Sequence, residues 1–349
     1  KITNDLILEF KPYWNLKVNK RNSFRSFKDS VEAVRESVIQ SMKLRLRSDV
    51  PIAFCMSGGI DSNTLISVAK NVLNFDVHGF TVVNTDKRYE EIDLVSNSVT
   101  TQGLKHFKLE LRDSVDAISD IAMMMSQRDS PVCTISYYTH WLLMREIAAR
   151  GYKVSMSGTG ADELFTGYFD HFNFFFADAN NSESLDEHQI KAWEKWVKPI
   201  VRNPHINDLS FIMKKPEYRQ HIYVNHQRFS EIVGCKITDL PHDIKYHKSI
   251  LRNRMLNELF HESVPPILAE DDANSMYFSV ENRSPFLDRK LAEVAYSIPN
   301  EFLICDGKAK YVLREAMKGI VPDTILNSRK KVGFNAPTAQ LFDISKKNI

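Results

Sequence analysis

The chain has 349 residues, 43% of them apolar and 26% charged, a globular composition with room for one large or two smaller cored domains. Its 46 Lys and Arg against 44 Asp and Glu leave a net charge of +2, which argues against a general electrostatic grip on nucleic acid or anionic lipid. Cys55, Cys133, Cys235 and Cys305 stand apart without a C-x-x-C pair, and no apolar run approaches the roughly 18 residues of a membrane helix, so reduced core thiols and a cytoplasmic protein are predicted rather than a disulfide frame, a zinc site or a membrane span.

Residues 1–22 are polar and irregular around an apolar knot of Phe10, Pro12, Tyr13 and Trp14, and read as a linker that docks on something. The chain starts at Lys1 without a methionine or a signal peptide, so it reads as a piece of something longer. Residues 23–349 are read as one domain, with an α/β core over about 23–170 and a helical part over about 171–349. Phe27, Val31, Val34, Val38 and Met42 fall on one face of a helix, and Lys43, Arg45 and Arg47 sit near its C-terminal end, where the helix dipole favours cations.

From Pro51 to Ser157 the pattern alternates. The apolar run 52–56 is short and bounded by Pro51 and glycines, as a buried parallel strand is, and Leu65, Ile66, Val68, Ala69, Val72 and Leu73 then recur at helical spacing. A strand over 77–83 follows, then a helix through Ile92, Val95 and Val99 capped by Gly103, a short strand over 106–109, helices near 114–126 and 134–149, and a strand at 154–156. Alternation of this length predicts a Rossmann-like parallel sheet with helices on both faces, whose ligands sit outside the carboxyl ends of the strands.

Two glycine loops lie at such ends. Ser57-Gly58-Gly59-Ile60-Asp61-Ser62 sits on a strand-to-helix turn that aims backbone N–H groups and a positive helix end at one spot, which suits a phosphate. Asp61 facing a polyphosphate would be repelled unless a cation such as Mg²⁺ lay between them. Ser157-Gly158-Thr159-Gly160-Ala161-Asp162 repeats the pattern; Asp162 taken singly is a good helix N-cap, but two such loops on one sheet would let Asp61 and Asp162 share one Mg²⁺. Beyond 165 the alternation stops and the rest reads as helical. Three groups stand out there, namely Ser275-Met276 with 281–288, Lys310 with Arg314, and 329–334, each of which singly reads as a solvated charged face.

The first loop resembles the pyrophosphate loop of the ATP pyrophosphatase (adenine nucleotide α-hydrolase-like) group; no Lys follows its glycines, unlike the G-x-x-x-x-G-K-[ST] loop of other NTPases. S-G-G-I-D-S, S-G-x-G-A-D-E-L-F-x-G-Y, S-M-x-x-S-x-E-x-R-x-P-F-L-D, K-x-x-L-R-x-A and R-x-K-x-G-F, in this order, resemble the synthetase domain of glutamine-hydrolysing asparagine synthetase over about residues 24–340. The resemblance implies an enzyme that activates a small-molecule carboxylate with ATP as an acyl-adenylate and lets ammonia displace AMP. It implies that Ser57, Gly58, Gly59, Asp61 and Ser62 hold pyrophosphate, that Asp61 and Asp162 hold Mg²⁺, and that Val82, Ser157 and Gly158 meet the nucleotide. By the same resemblance Lys310 binds pyrophosphate and Lys331 stabilises the adenylation and amide-forming transition states. A homodimer is one assembly open to such a chain.

Two departures bear on the substrate. Asparagine synthetases have S-G-E-G, with the Glu beside the reacting centre, where this chain has Thr159; related β-lactam synthetases have a Tyr there, assisted by a second carboxylate. A Thr is no base near neutral pH, so either ammonia arrives neutral or another carboxylate helps, and Glu270, Asp271 and Asp272 are candidates, although such a run reads first as a surface acidic cluster. The glutaminase domain that begins with a catalytic Cys in the family is not in this sequence, so ammonia comes from a domain absent here or is used directly. Amidation of a sugar uronate or a peptide, an intramolecular amide synthetase, a non-catalytic nucleotide-binding module and a tRNA-modifying enzyme are the alternatives.

Overall fold

The computed structural model of the chain describes residues 14–16, 24, 26–83, 91–111, 116–182, 184, 186–219, 225–236, 242–329 and 341. Among them one sheet is formed by β1 (Ile52–Cys55), β2 (His78–Val83), β3 (Lys105–Glu110), β4 (Val154–Met156) and β5 (Glu281–Arg283). The strands are all parallel and lie in the order β3-β2-β1-β4-β5. Around it come α1 (Phe27–Arg45), α2 (Ile60–Ser67), α3 (Ile92–Gln102), α4 (Ala117–Arg128) and α5 (Ile135–Ala149). The helical part follows with α6 (Ala161–Phe165), α7 (Phe169–Asn181), α8 (Glu187–Trp196), α9 (Leu209–Lys214) and α10 (His226–Val233). It closes with α11 (Ile250–Asn257), α12 (Val264–Tyr277), α13 (Arg289–Ala295), α14 (Tyr311–Ala316) and α15 (Asp323–Leu326).

β1 is apolar throughout because both of its faces are covered. Ile52, Phe54 and Met56 pack into one cluster with Val34, Val38 and Met42 of α1 and Leu65 and Ile66 of α2. The alternate residue Ala53 packs on the other side with Leu143, Met144 and Ile147 of α5. The predicted α/β class and its helices on both faces are therefore the observed ones. In the helical part Phe172, Phe174 and Phe176 belong to the same core as the sheet, so the two parts share one apolar interior.

One strand was not foreseen. The segment around Glu281, expected to be ion-pair-rich and helical in context, supplies β5, which pairs with β4 through Val154↔Glu281, Ser155↔Asn282 and Met156↔Arg283. Three residues are too few for a period-two pattern to register. The strand also ties the end of α1 down. The Arg283 guanidinium donates to the carbonyls of Arg45 (2.7 Å) and Arg47 (2.9 Å), and Arg45 forms an ion pair with Asp288 at 2.5 Å. Arg283 thus satisfies carbonyls that the end of α1 leaves without partners, and Arg45 of the basic cluster has a structural role in its pair with Asp288. Trp14, of the predicted apolar knot, donates its indole N–H to Glu293 at 3.0 Å and lies under the Arg289 guanidinium, so this residue reaches α13, whereas Phe10, Pro12 and Tyr13 lie outside the described residues.

The expectation of core thiols fails in part, since Cys133 and Cys235 are exposed; isolated cysteines carry no pattern from which burial can be read. No helix among the described residues is long and apolar enough to cross a membrane. Replacing Arg283 by Ala strands the two carbonyls that end α1, and urea denaturation should register a loss of about 1–2 kcal/mol, the range for a charge-assisted hydrogen bond at a partly exposed position.

Candidate active site

β1 feeds through α2 to β2 on one side, whereas β4 flanks β1 on the other, so the crevice between the ends of β1 and β4 is the switch point of the sheet. Both glycine loops open there and touch. A Cβ at Gly158 would lie 3.0 Å from the Asp61 Cβ and 3.3 Å from the Ser62 backbone nitrogen, so the second loop rests on the first at a point where a side chain would crowd it. In register, Val82 near the end of β2 stands level with Ser57, because Cys55 pairs with Phe80.

The first loop is held by its own side chains. Ser62 Oγ accepts from the Ser57 amide (3.1 Å), and Ser57 Oγ accepts from the Gly59 amide (3.2 Å). Asn63, fully buried, donates to the carbonyls of Ser57 (2.9 Å) and Gly59 (2.7 Å), and its own oxygen accepts from Ser98 of α3 at 2.6 Å. The Gly58 amide donates to the Glu91 carboxylate at 3.1 Å, so an acid already rests on a backbone donor of the loop. Asn63 and Glu91 escaped the sequence reading; a polar residue at a buried helical position was the one available signal for Asn63, and Glu91 offered none.

Asp61 and Asp162 converge. The Lys310 ammonium lies 2.6 Å from Asp61 and 2.5 Å from Asp162, and the lysine is 3% exposed. Burial alone would lower its pKa, but Asp162 and then Asp61 outweigh that and the net shift is upward, which keeps it charged. Lys310 is not on a solvated face, as its motif singly suggested. It caps α14 in the left-handed conformation (φ 57°), its amide donating to Thr166 Oγ1 at 3.4 Å, and Thr166 is itself left-handed at φ 68°. Positive φ in two residues with Cβ atoms is strain that the surroundings impose, and here it delivers the ammonium to the carboxylates. Gly167 completes the enclosure, since a Cβ there would collide with the Asp162 carboxylate. Asp61 and Asp162, beside backbone amides suited to phosphate, are the residues that could hold Mg²⁺, at the position that the Lys310 ammonium takes here. Arg314 backs the site from α14, donating to the carbonyls of Ala309, Ile325 and Leu326.

The other end of the second loop leads to a buried carboxylate. Ser284, Ser157 and Thr159 hydroxyls follow one another at 3.4 and 3.1 Å, and Thr159 donates to Asp271 Oδ2 at 3.3 Å. The acidic run is no surface cluster as a whole. Glu270 is paired with Arg128, Asp271 turns inward at 8% exposure, and Asp272 alone is exposed. Beneath the loop, Glu163 is buried, and desolvation, then Asp162 and Glu258, push its carboxyl up to about 7 against the hydrogen bond that Tyr168 donates. His171 meets Glu258 at 2.7 Å, and Arg254 meets the same Glu258 at 2.9 Å, so this interior network carries its own cation.

The model of the asparagine synthase family matches residues 33–347. The chain belongs to the asparagine synthase family. This family member is 27% identical to a glutamine-hydrolysing asparagine synthetase of Bacillus subtilis over 332 residues, covering 88% of this chain and 50% of the relative. A second asparagine synthetase of that organism is 27% identical over 91% of this chain and 50% of its own. The amidase chyE of Penicillium rubens is 25% identical over 93% of this chain and 55% of its own. The chain thus spans about half the length of the curated relatives it matches. Among solved structures, a U34-tRNA thiolase of Methanococcus maripaludis aligns with a TM-score of 0.31 at 12% identity, over 89% of this chain and 91% of that one.

Of the family's expected site residues, Ser57, Gly58, Gly59, Asp61, Ser62, Ser157, Gly158, Thr159, Asp162 and Lys310 lie on two touching loops and the lysine that meets them, and Val82 lies level with Ser57. Lys331 lies outside the described residues. Because folding raises the Glu163 pKa from its ordinary 4.5 to about 7, the folded chain binds a proton that the unfolded chain releases; the associated stability is present below pH 4.5 and is lost as pH rises through about 7. Glu163→Gln keeps the side chain neutral, so its melting temperature relative to wild type should climb between pH 5 and pH 8, and parallel curves would contradict this.

Proposed function

We propose that this member of the family is an ATP-dependent, AMP-forming amide ligase. It activates a carboxylate as an acyl-adenylate with release of pyrophosphate, and ammonia displaces AMP to give the amide. The observation that carries this reading is the meeting of Asp61, Lys310 and Asp162 at one point beside the Ser57–Gly59 loop, at the switch point of a parallel sheet. A loop of backbone amides and serine hydroxyls grips the two terminal phosphates, leaving the α-phosphate toward the second loop for attack by the carboxylate. The Lys310 ammonium, held where water is largely excluded, opposes the charge that gathers on pyrophosphate as the α–β bond breaks. Held by Asp61 and Asp162, Mg²⁺ would screen the polyphosphate from those carboxylates and draw charge off the leaving group. Backbone groups at Val82 and Gly158 receive the adenosine, and Lys331 stabilises the transition states of both steps, roles that rest on the family resemblance.

L-Aspartate is the first acceptor to test, since several relatives are named asparagine synthetases. A second reading, amidation of another carboxylate, is favoured by Thr159 in place of the family's Glu and by the relative named an amidase. Hydrolysis of glutamine is the proposed source of the ammonia, because the relatives of which this chain spans about half are named glutamine-hydrolysing.

With ATP, Mg²⁺, ammonium chloride and a panel of L-aspartate, L-glutamate and D-galacturonate, pyrophosphate and AMP should appear in equal amounts with at least one acceptor. ADP and orthophosphate in their place would mean that the wrong phosphate bond had been assigned. Lys310→Ala should lower kcat/KM for ATP by about 10²–10³-fold, the usual effect of removing one group that stabilises developing charge.

A further inference from the structure

The ionic layer beneath the second loop holds more negative charge than positive. Asp243, Glu258 and Glu262 pair with Arg254, Asp170 is close enough to act on the same guanidinium, and Arg219 joins the group through Asp243. Among the described residues four carboxylates thus share two guanidiniums. A proton on His171 answers half of that excess, whereas one dication answers all of it, and buried charge left unanswered is costly.

Three of the buried groups are arranged as ligands. Asp170 and His171 open α7, and Glu258 stands where α11 passes into a π-helical turn, Glu258–Glu262. Such turns are rare and gather at functional sites, and this one brings Glu258 and Glu262 to the same guanidinium. One ring nitrogen of His171 and one oxygen from each of Asp170 and Glu258 lie within 4.8 Å of one another, and His171 is 0% exposed, Glu258 2% and Asp170 5%. Ligand atoms about 2.1 Å from a shared ion stand about 3–3.5 Å apart, so side-chain rotation is enough to close these three on one. Glu258 divides its oxygens, Oε1 accepting from Arg254 at 2.9 Å and Oε2 facing His171 Nε2 at 2.7 Å. The guanidinium therefore occupies one side of the carboxylate and leaves the other to the imidazole.

A second observation points to a ligand at the same place. The Nδ1 atom of His171 is enclosed without a hydrogen-bond partner, and so are both amide atoms of Asn173, fully buried one turn beyond Asp170 on the same face of α7. Nearly all buried polar groups find a protein partner, and the exceptions mark a place where an ion or a water belongs. The donor set selects among ions. Mg²⁺ and Ca²⁺ take oxygen ligands, whereas one imidazole with two carboxylates suits a transition-metal dication such as Zn²⁺.

We propose that Asp170, His171 and Glu258 bind one transition-metal dication, which clamps the start of α7 to the end of α11. Tyr168, two residues before Asp170, donates its hydroxyl to Glu163, so the clamp fixes the floor on which the second loop rests. The site is formed by residues other than Asp61 and Asp162, and it stands whether or not the chain is a ligase.

Zinc chloride is the probe. The chain, stripped by a chelator and dialysed, should take up one equivalent of Zn²⁺ that survives a second dialysis and raises the melting temperature by about 5 °C. Glu258→Gln and Asp170→Asn should each weaken zinc binding by more than the roughly 10–100-fold that loss of an outer-sphere partner costs. Asp61→Asn combined with Asp162→Asn should keep the equivalent. X-ray absorption of the zinc-loaded wild-type chain, a readout that needs no variant to fold, should show one imidazole among nitrogen and oxygen ligands and no sulfur. The proposal is overturned if the folded wild-type chain retains no zinc, which would leave only a proton between His171 and Glu258. It is overturned equally if folded Glu258→Gln binds zinc within threefold of wild type, if the equivalent disappears with Asp61 and Asp162, or if the absorption spectrum shows sulfur or lacks imidazole.

Discussion

Two carboxylates from loops a hundred residues apart in sequence face one another across a crevice, and a single ammonium reconciles them. Asp61 comes from beyond the end of β1, Asp162 from beyond the end of β4, and Lys310 from the start of α14, far along the sequence from both. Like charges at that range repel unless a cation intervenes, so the position of Lys310 is a condition on the whole arrangement. The left-handed backbone of Lys310 and Thr166, the bare Cα of Gly167 beneath Asp162, and the bare Cα of Gly158 against Asp61 are the local accommodations that permit it. Each would be unfavourable or unexplained alone; together they define one cation position, taken by the Lys310 ammonium, beside the Ser57–Gly59 turn.

β4 is the hinge of the chemistry as well as of the sheet. The loop that leaves it leads to Asp162 at one end, toward Lys310, and carries Ser157 and Thr159 at the other, toward Asp271. One short loop therefore links the Asp61–Lys310–Asp162 cluster to the buried Asp271. The buried ionic layer under it, from Glu163 through Tyr168 and Glu258 to His171 and Arg254, gives that loop a polar floor.

Much of this was legible in the sequence because a strand-to-helix turn makes local demands. Glycines, serines and a helix start after an apolar run announce S-G-G-I-D-S without any knowledge of the rest. Strand and helix alternation gave the sheet class for the same reason. What resisted was whatever depends on a distant partner. Glu270, Asp271 and Asp272 are adjacent letters, but α12 turns each in a different direction, to Arg128, to Thr159 and to solvent. His171 sits in a phenylalanine-rich helix that gives no reason to notice it, and Asn63 is a clamp only because α3 supplies Ser98. β5 is too brief to betray itself by periodicity.

That brief strand has a consequence for how the molecule comes into being. β4 has β1 on one side, and its other edge stays bare until residues 281–283 arrive, more than a hundred positions later. α1, the first helix, likewise waits for α13 and α14 to cover it. A nascent chain that stops short of residue 281 carries an open strand edge and an exposed apolar helix face, both apt to stick to other chains. The meeting of Asp61, Asp162 and Lys310 is therefore assembled late, by closure of the C-terminal half over the N-terminal one, and a fragment ending near residue 170 would carry Asp61 and Asp162 without the lysine that holds them together.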